Sequence, residues 1–513
     1  MKPIQSSATR ASLAIASAAL LAVSSASAQT ITQVIDQAGD GAGKTLSNPH
    51  GIAVDASGVA YVAGGWSDNA FAVTPDGVIA EIIDATGDGL GNTLDAPLGI
   101  AVDDEGSVYV AGYISHNVFA VTPEGVITQV IDATGDGAGN GLEGADTLAV
   151  DSQGNVYVTG YHSDNAFKIT PGNEVTAIID STGDGAGNVL DGPKGVAVDG
   201  AGNVYVAGCL SDNAFKITPE GLVTRIIDSS GDGAGNGLLQ PWGVAVDDEG
   251  NVFVTGRSSK NAFRVTPGGW ITEIIDFSGD GAGNTLSYPQ GVAVDGSGNV
   301  YVAGHVSSNV FRIAPEGGVT EVIDASGDGA GNGLLQPWSV AVHGLGEVFV
   351  TGWGSHNAFE LEQPYVTTYC SAKTSSLGCD PAIGYSGWPT LTGADDFFVT
   401  ADQIVGQTTG FLLWSLQPNP PAGGSGLYRP IGPSPLGGHY CVFSPLRTSV
   451  QASGGSPDLC DGSFGLHFSQ DLMTAEGLAP GMTVYAQYFY SDPSHPDGKG
   501  VGHTDAIEFT LGN

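Results

Sequence analysis

Short apolar segments separated by glycine-rich turns recur along this chain at a fixed interval of 48 residues. The phrase Asn-(Ala/Val)-Phe keeps this interval from Asn69 to Asn357. A repeat of this length, without insertions or deletions, indicates one small structural unit that has been copied and stacked. A second phrase, Ile-Asp followed by a Gly-Asp-Gly turn, marks the same interval at Asp36, Asp84, Asp132, Asp180, Asp228, Asp276 and Asp324.

The unit at residues 195–242 shows what each copy contains. Apolar or alternating segments cover residues 195–199, 204–208, 213–218 and 222–228, which we call strands A to D. Gly-Asn and Pro-Glu-Gly sequences between them are typical of tight turns. The pattern predicts a four-stranded antiparallel sheet, and because such a sheet cannot bury both faces alone, neighbouring copies must cover it.

The two ends of the repeat region predict a closed ring. Complete units span residues 51–338, and a seventh unit stops after its third strand, near Leu361. Its missing fourth strand lies at the other end of the chain, where residues 31–36 match residues 223–228. We therefore predict an all-β fold: a closed seven-bladed β-propeller whose N-terminal strand completes the last blade and removes the exposed sheet edges.

The repeat ends before the last third of the chain. Gln363-Pro364 marks the boundary, and alternating segments at residues 397–400, 411–414 and 482–490 predict a β-sandwich. The chain is thus divided into a signal peptide (1–28), the propeller (29–362) and a disulfide-bonded β-rich C-terminal domain (363–513).

Two parts of the chain resemble known families. The phrase Pro-x-Gly-(Val/Ile)-Ala-Val-Asp-x-x-Gly-Asn-Val-Tyr-Val resembles NHL-type repeats and related bacterial seven-bladed propeller repeats over residues 31–361. Propellers of this kind serve as protein-binding platforms, lactonases, lyases and surface proteins, so the resemblance implies a fold and selects no function. Residues 440–462 and 505–509 are similar to a C-terminal module of exported bacterial proteins of unknown function.

The first residues predict export. The positively charged Lys2 and Arg10 come first, an apolar run over residues 11–23 follows, and Ala26-Ser27-Ala28 is a small-residue cleavage site. This is the pattern of a secretory signal peptide. Its apolar run is too short for a stable membrane span, and no later apolar run is long enough, so we expect a secreted protein without membrane insertion.

The charge balance excludes some partners. The formal net charge is −39, which disfavours nucleic acid and anionic membrane surfaces. Cations, neutral sugars and basic peptides stay open as ligands. Only 13% of residues are charged and 80 are glycine, a composition that suits a turn-rich β protein, which we expect to be monomeric.

The five cysteines are placed unevenly. Cys209 stands alone in the repeat region, and four cysteines in the last third predict two disulfides in an exported protein. Three pairings are possible, of which the simplest joins neighbours in sequence: Cys370 with Cys379, and Cys441 with Cys460.

Two positions of the repeat vary most between copies, and both fall at the same end of the sheets. One is the loop between strands B and C. The other is the residue that follows the proline at the end of the D–A loop, which joins strand D of one copy to strand A of the next. Aromatic rings at these positions suit stacking on sugars or gripping a peptide, and packing between blades is the alternative. The candidate ligand-binding residues are Trp66, Tyr113, Tyr161, His162, Trp242, Arg257, His305, Trp338 and Trp353.

The D–A loops resemble calcium-binding loops in their spacing. Oxygen-bearing side chains stand at positions 1, 3 and 5, followed by glycine at 6, in every copy but the first, which has Ala38 at position 3. Three copies carry a carboxylate at position 12. The alternative is a glycine-rich turn in which Asp side chains cap backbone N–H groups. The candidate Ca²⁺ ligands are Asp84, Thr86, Asp88 and Asp95, then Asp132, Thr134, Asp136 and Glu143, then Asp180, Thr182, Asp184 and Asp191.

Three functions compete. The first is recognition of an extracellular glycan or protein through the variable loops. The second is a metal-dependent lyase or lactonase-like enzyme, with Asp146 and His162 as candidates for acid–base work because the third unit departs most from the pattern. The third is a purely structural surface component.

Overall fold

The computed structural model describes the repeat region almost completely and the C-terminal region in part. The predicted signal peptide, Cys370 and Cys441 lie outside the described residues. The described residues are 30–315, 317–343, 346–362, 366–369, 375–379, 381–386, 397–416, 446–448, 450–454, 456, 459–478, 482–492 and 501–511.

The repeat region contains strands and turns, in seven sheets of four antiparallel strands. The strands are β1 (Thr30–Ile35), β2 (Pro49–Val54), β3 (Ala60–Gly64), β4 (Asn69–Val73), β5 (Ile79–Ile83), β6 (Pro97–Val102), β7 (Val108–Gly112), β8 (Asn117–Val121), β9 (Ile127–Ile131), β10 (Ala145–Val150), β11 (Val156–Gly160), β12 (Asn165–Ile169), β13 (Val175–Ile179), β14 (Pro193–Val198), β15 (Val204–Gly208), β16 (Asn213–Ile217), β17 (Val223–Ile227), β18 (Pro241–Val246), β19 (Val252–Gly256), β20 (Asn261–Val265), β21 (Ile271–Ile275), β22 (Pro289–Val294), β23 (Val300–Gly304), β24 (Asn309–Ile313), β25 (Val319–Ile323), β26 (Pro337–His343), β27 (Glu347–Gly352) and β28 (Asn357–Glu362).

The Asn-(Ala/Val)-Phe phrase anchors the third strand of every repeat. In the first repeat, the Asn69 amide donates to the carbonyl oxygen of Thr45 in the preceding loop and to Glu81. The Phe71 ring is fully buried, as is its counterpart in each other copy. One buried amide and one buried ring therefore fix each loop to its sheet, which explains why the phrase recurs unchanged.

The hydrophobic cores lie between successive sheets. One cluster joins Tyr205 and Ile227 of one sheet to Val254 and Phe263 of the next. Each sheet is thus covered by its neighbours, as the repeat predicts. The inner strands, which are the first strand of each repeat, approach one another closely: a Cβ on Gly195 would lie 2.5 Å from the carbonyl oxygen of Trp242.

The first strand of the chain belongs to the last repeat. Strand β1 pairs with β28, with Ile31 opposite Leu361 and Thr32 opposite Glu360, and the sheet order is β1-β28-β27-β26. This confirms that the N-terminal segment supplies the fourth strand of the seventh sheet. Ile35 at the end of β1 is buried against Phe71 and Phe349.

The described C-terminal strands form two sheets that share one hydrophobic cluster, to which Val399, Phe464, Tyr488 and Phe509 contribute. Within the described ranges, no helix is long and apolar enough to cross a membrane. The elements are β29 (Val366–Tyr369), β30 (Ala382–Ser386), β31 (Phe398–Ile404), β32 (Thr409–Ser415), β33 (Leu446–Arg447), β34 (Gln451–Ala452), β35 (Gly462–His467), α1 (Gln470–Ala475), β36 (Thr483–Ser491) and β37 (Val501–Thr510).

The simplest disulfide pairing is wrong. Cys379 is bonded to Cys460, 81 residues away, and not to Cys370. The physical reason is the sheet order β30-β31-β35: both outer strands run antiparallel to β31, so the segments before β30 and β35 lie at the same end of the sheet although they are far apart in sequence. The predicted bond between Cys441 and Cys460 is thereby excluded as well.

Candidate ligand-binding face

The B–C and D–A loops lie at one end of the sheets, which we call the variable face. Each inner strand begins there, and the second residue of the strand differs from copy to copy. Residues of all seven inner strands line one cavity of about 210 Å³. The second residues, in chain order, are His50, Leu98, Asp146, Lys194, Trp242, Gln290 and Trp338.

Aromatic rings on the variable face contact one another in an unbroken chain. Trp66 meets Trp353 with ring centroids 6.0 Å apart, Trp353 lies 6.2 Å from Trp338, and Trp338 lies 5.9 Å from Trp242. His305 joins this chain, with its ring 5.2 Å from that of Trp338. The structure thus brings these predicted ligand-binding residues together; their binding role stays a prediction.

A buried ion pair lies at the centre of the face. The Lys194 ammonium is 2.6 Å from the Asp146 carboxylate, and both side chains are more than nine-tenths buried. The ammonium also lies over the rings of Tyr161 at 4.1 Å and Trp242 at 4.6 Å. Lys194 therefore connects Tyr161 of the third sheet to Trp242 of the fifth sheet.

The Arg257 guanidinium is held between two rings. Its central carbon lies 4.9 Å from the Trp242 centroid and 5.0 Å from the Tyr288 centroid. Lys260 contacts the same tyrosine at 5.8 Å and the ring of Phe277 at 4.8 Å. Neither cation forms a salt bridge with any residue that the structure describes.

The two histidines beside Trp338 are buried. Burial lowers the pKa of His50 to about 4, and the charge of Lys194 acts in the same direction, against a hydrogen bond from Nδ1 to the Asn48 carbonyl oxygen. Burial also lowers the pKa of His305, with a further contribution from Arg257. Both imidazoles are therefore neutral near pH 7.

Acid is expected to destabilise the protein through His50. Its pKa is lower in the folded protein than the ordinary 6.5, so its stabilising contribution is present above pH 6.5 and is lost as the pH falls toward 4. The free energy of unfolding should be lower at pH 5 than at pH 8 by about 2 kcal/mol, as measured by urea unfolding.

His50→Gln is the matched control, because Gln290 already occupies the equivalent position. The variant should lose most of this pH dependence. A wild-type stability that stays constant between pH 8 and pH 5 would contradict the interpretation. The aspartates with lowered pKa values, such as Asp55 and Asp84, lose their contributions only below this window.

The two catalytic candidates have different partners. Asp146 bonds to Lys194, whereas His162 is hydrogen-bonded through Nε2 to the Tyr113 hydroxyl at 2.8 Å. The Tyr113 and Tyr161 rings lie 6.4 Å apart and link the two groups into one cluster. Burial raises the pKa of Tyr113 to about 12, and the Asp146 charge contributes.

The D–A loops use their carboxylates internally. Asp84 accepts from the Thr86 backbone N–H at 2.9 Å, and Asp88 accepts from the Asn92 amide at 2.6 Å. The second and third candidate loops repeat these contacts. Asp191 lies beside Asp164, and burial with that second charge raises the pKa of Asp191.

These contacts match the capped-turn interpretation, and Gly87 supplies the φ of +60° that the turn requires. Within the described ranges, no group of three or more His, Cys, Asp or Glu side chains is arranged to hold a metal ion. Calcium binding stays a prediction.

Sequence reasoning missed the ion pair and the unpaired cations. Asp146 and Lys194 are separated by 48 residues, one repeat, and therefore stand at the same position of adjacent inner strands. An Asp and a Lys at the same position of consecutive repeats are a signal in the sequence from which the ion pair could have been predicted. Tyr288 and Lys260 carry no such signal, because their contact depends on how the loops fold.

The comparisons with known proteins concern the repeat region. Residues 233–264 and 269–312 match the SBBP family, described as Beta-propeller repeat. A search of curated proteins gave no significant match.

Solved structures match the same region. Virginiamycin B lyase from Staphylococcus aureus aligns with a TM-score of 0.52 and 12% identity, over 65% of this chain and 99% of that one. A streptogramin B lyase aligns with a TM-score of 0.51 and 12% identity, over 65% of this chain and 97% of that one. At such identities these likenesses concern the fold alone. Together with the seven four-stranded sheets, they identify the repeat region as a β-propeller.

Proposed function

We propose that this protein is exported and binds an extracellular carbohydrate through the variable face. The observation that carries this proposal is the unbroken chain of aromatic rings that leads to a cavity to which all seven inner strands contribute. Sugars present C–H faces that stack on such rings and hydroxyls that bond to polar groups between them. Export rests on the signal-peptide pattern, and the Cys379–Cys460 bond is consistent with it.

The rim of the face supports an extended ligand. Trp66 is 69% exposed, and Ile114, Leu210 and Val306 at the equivalent positions of other copies are more than half exposed. Apolar side chains that stand free at the same loop position mark a contact surface. A protein ligand is the other class that the sequence predicts, and a carbohydrate is favoured because the centre of the face is a cavity.

We infer also that the seven sheets close into a ring, which holds the variable face together. The support is that the last and first repeats use the contacts of consecutive repeats. Asp68 accepts a hydrogen bond from the backbone N–H of Ala96 in the next repeat, and His356 accepts one from Asn48 in the same way. Thr351 in turn donates to the His50 carbonyl oxygen at 2.8 Å.

A glycan array tests the proposal, with Trp66→Ala as the first variant. Loss of this exposed ring should weaken binding of the array's best ligand about tenfold or more. Stability should change by less than about 0.5 kcal/mol, because the residue is exposed. The measurement is a calorimetric titration beside a thermal melt.

Trp270→Ala is the matched control. Trp270 is 79% exposed and lies in a C–D turn at the opposite end of the sheets. Its removal should leave affinity unchanged. An array without a carbohydrate hit, or equal losses in the two variants, would overturn the proposal.

An enzyme is the second candidate, because the hydrogen-bonded Tyr113–His162 pair could transfer a proton. The structural neighbours include proteins named as lyases. Incubating the array's best ligand with the protein and following its chain length separates binding from turnover. If cleavage occurs, Tyr113→Phe should abolish it while affinity is retained.

A further inference from the structure

Polar groups without partners gather on the part of the variable face formed by the fifth to seventh repeats. Arg257 Nε, Trp353 Nε1 and both amide atoms of Gln290 are buried, with no hydrogen-bond partner among the described residues. Gln290 is 0% exposed and lines the cavity that the seven inner strands form. Buried polar groups are nearly always hydrogen-bonded, so this cluster is built for a partner that enters from outside the chain.

One donor in this cluster, Arg257, is a cation, and a second cation, Lys260, lies beside it. Arg257 is fixed between the Trp242 and Tyr288 rings, which orients its guanidinium edge, and Lys260 lies over the same tyrosine. Neither has a carboxylate partner among the described residues, although the chain carries a net charge of −39. By contrast, Lys194 on the same face is neutralised by Asp146.

We propose that this part of the face binds the carboxylate of an acidic saccharide, a uronic acid unit. The inference rests on the proposed function and names its ligand class. A planar guanidinium held by ring stacking presents two parallel N–H groups to a carboxylate, and the Lys260 ammonium adds a second charge. The indoles of Trp242 and Trp338, which contact each other edge to face, provide the apolar surface for the sugar ring.

Gln290 supplies the remaining bonds. Its amide offers one donor group and one acceptor, which match a sugar hydroxyl or carboxylate oxygen. The inner strands of Trp242 and Trp338 stand on either side of the Gln290 strand, and the two rings meet 5.9 Å apart. A ligand that reaches Gln290 therefore displaces one of these rings, which tryptophan fluorescence would report.

The test compares two probes on the intact protein by calorimetric titration: a galacturonic acid oligomer and its methyl ester of the same length. The acid should bind at least about tenfold more tightly than the ester, with a preference that falls as salt is raised. Arg257→Gln should remove this preference, and a thermal melt establishes that the variant is folded. Arg225→Gln should keep it, because Arg225 pairs with Asp228 on the outer strand.

Gln290→Met gives a second, independent readout. Replacing an unpartnered buried amide by an apolar side chain of similar size should leave the melting temperature unchanged or raise it, while acid-oligomer affinity falls several-fold. A lower melting temperature with unchanged affinity would show that Gln290 takes no part in ligand binding. Equal affinities for acid and ester overturn the uronate inference and leave carbohydrate binding standing; no binding of either probe, together with an empty array, overturns both.

Discussion

Replacing Lys194 with methionine is expected to destabilise the protein by about 3–5 kcal/mol. The substitution leaves the Asp146 carboxylate buried without its cation, and the carboxylate has no other ion-pair partner among the described residues. It also removes the ammonium from the Tyr161 and Trp242 rings. Urea unfolding of the intact chain, followed by tryptophan fluorescence, measures the loss.

The double variant Asp146→Leu with Lys194→Met is the decisive companion. Leucine already occupies this position in the second repeat, as Leu98, so the double variant should recover most of the lost stability. Lys168→Met is the matched control, because Lys168 lies 5.8 Å from the centroid of the Tyr157 ring and forms no salt bridge with a described residue. It should cost less than about 1 kcal/mol. Similar losses in Lys168→Met and Lys194→Met would contradict the buried-pair account.

Deleting the first strand is expected to have the second large effect. A chain that lacks residues 1–35 leaves β28 with an unpaired edge and removes the buried side chain of Ile35 from the core between the first and last sheets. We expect a loss of at least about 3 kcal/mol and self-association through the exposed edge. Unfolding curves and size-exclusion chromatography measure both effects.

A chain that lacks only residues 1–29 is the control for this deletion. It keeps β1 and should match, in stability and elution, a chain that lacks only the predicted signal peptide, residues 1–28. A deletion of residues 1–35 that melts and elutes like this control would show that β1 does not hold the last sheet to the first. The inferred ring closure would then be wrong.

The repeat strands were predictable because their signals are local. Strands β14 to β17 begin and end within two residues of the segments that the sequence marks. The Asp that follows the first strand in six of the seven sheets caps its own turn: Asp199, for example, accepts hydrogen bonds from the backbone N–H groups of Ala201 and Asn203. The pairing of β1 was predictable because residues 31–36 repeat a known fourth strand.

The missed features depend on contacts between distant segments. The Cys379–Cys460 bond follows from the order of three strands and not from cysteine spacing. The stacking of Arg257 between Trp242 and Tyr288 depends on how two loops and one inner strand meet. Whether the aromatic rings bind a ligand or pack between blades was also open. Trp66 is 69% exposed and contacts Trp353, while Trp242 and Trp338 pack on each other; ligand binding stays a prediction.

The most direct measurement of the central claim is a crystal structure of the protein with the saccharide that binds most tightly on the array. The account predicts a sugar ring on the variable face, against the tryptophans and over the cavity where the seven inner strands begin, with a carboxylate at Arg257. A ligand bound at the opposite end of the sheets, beside Trp270, or between two blades, would contradict it.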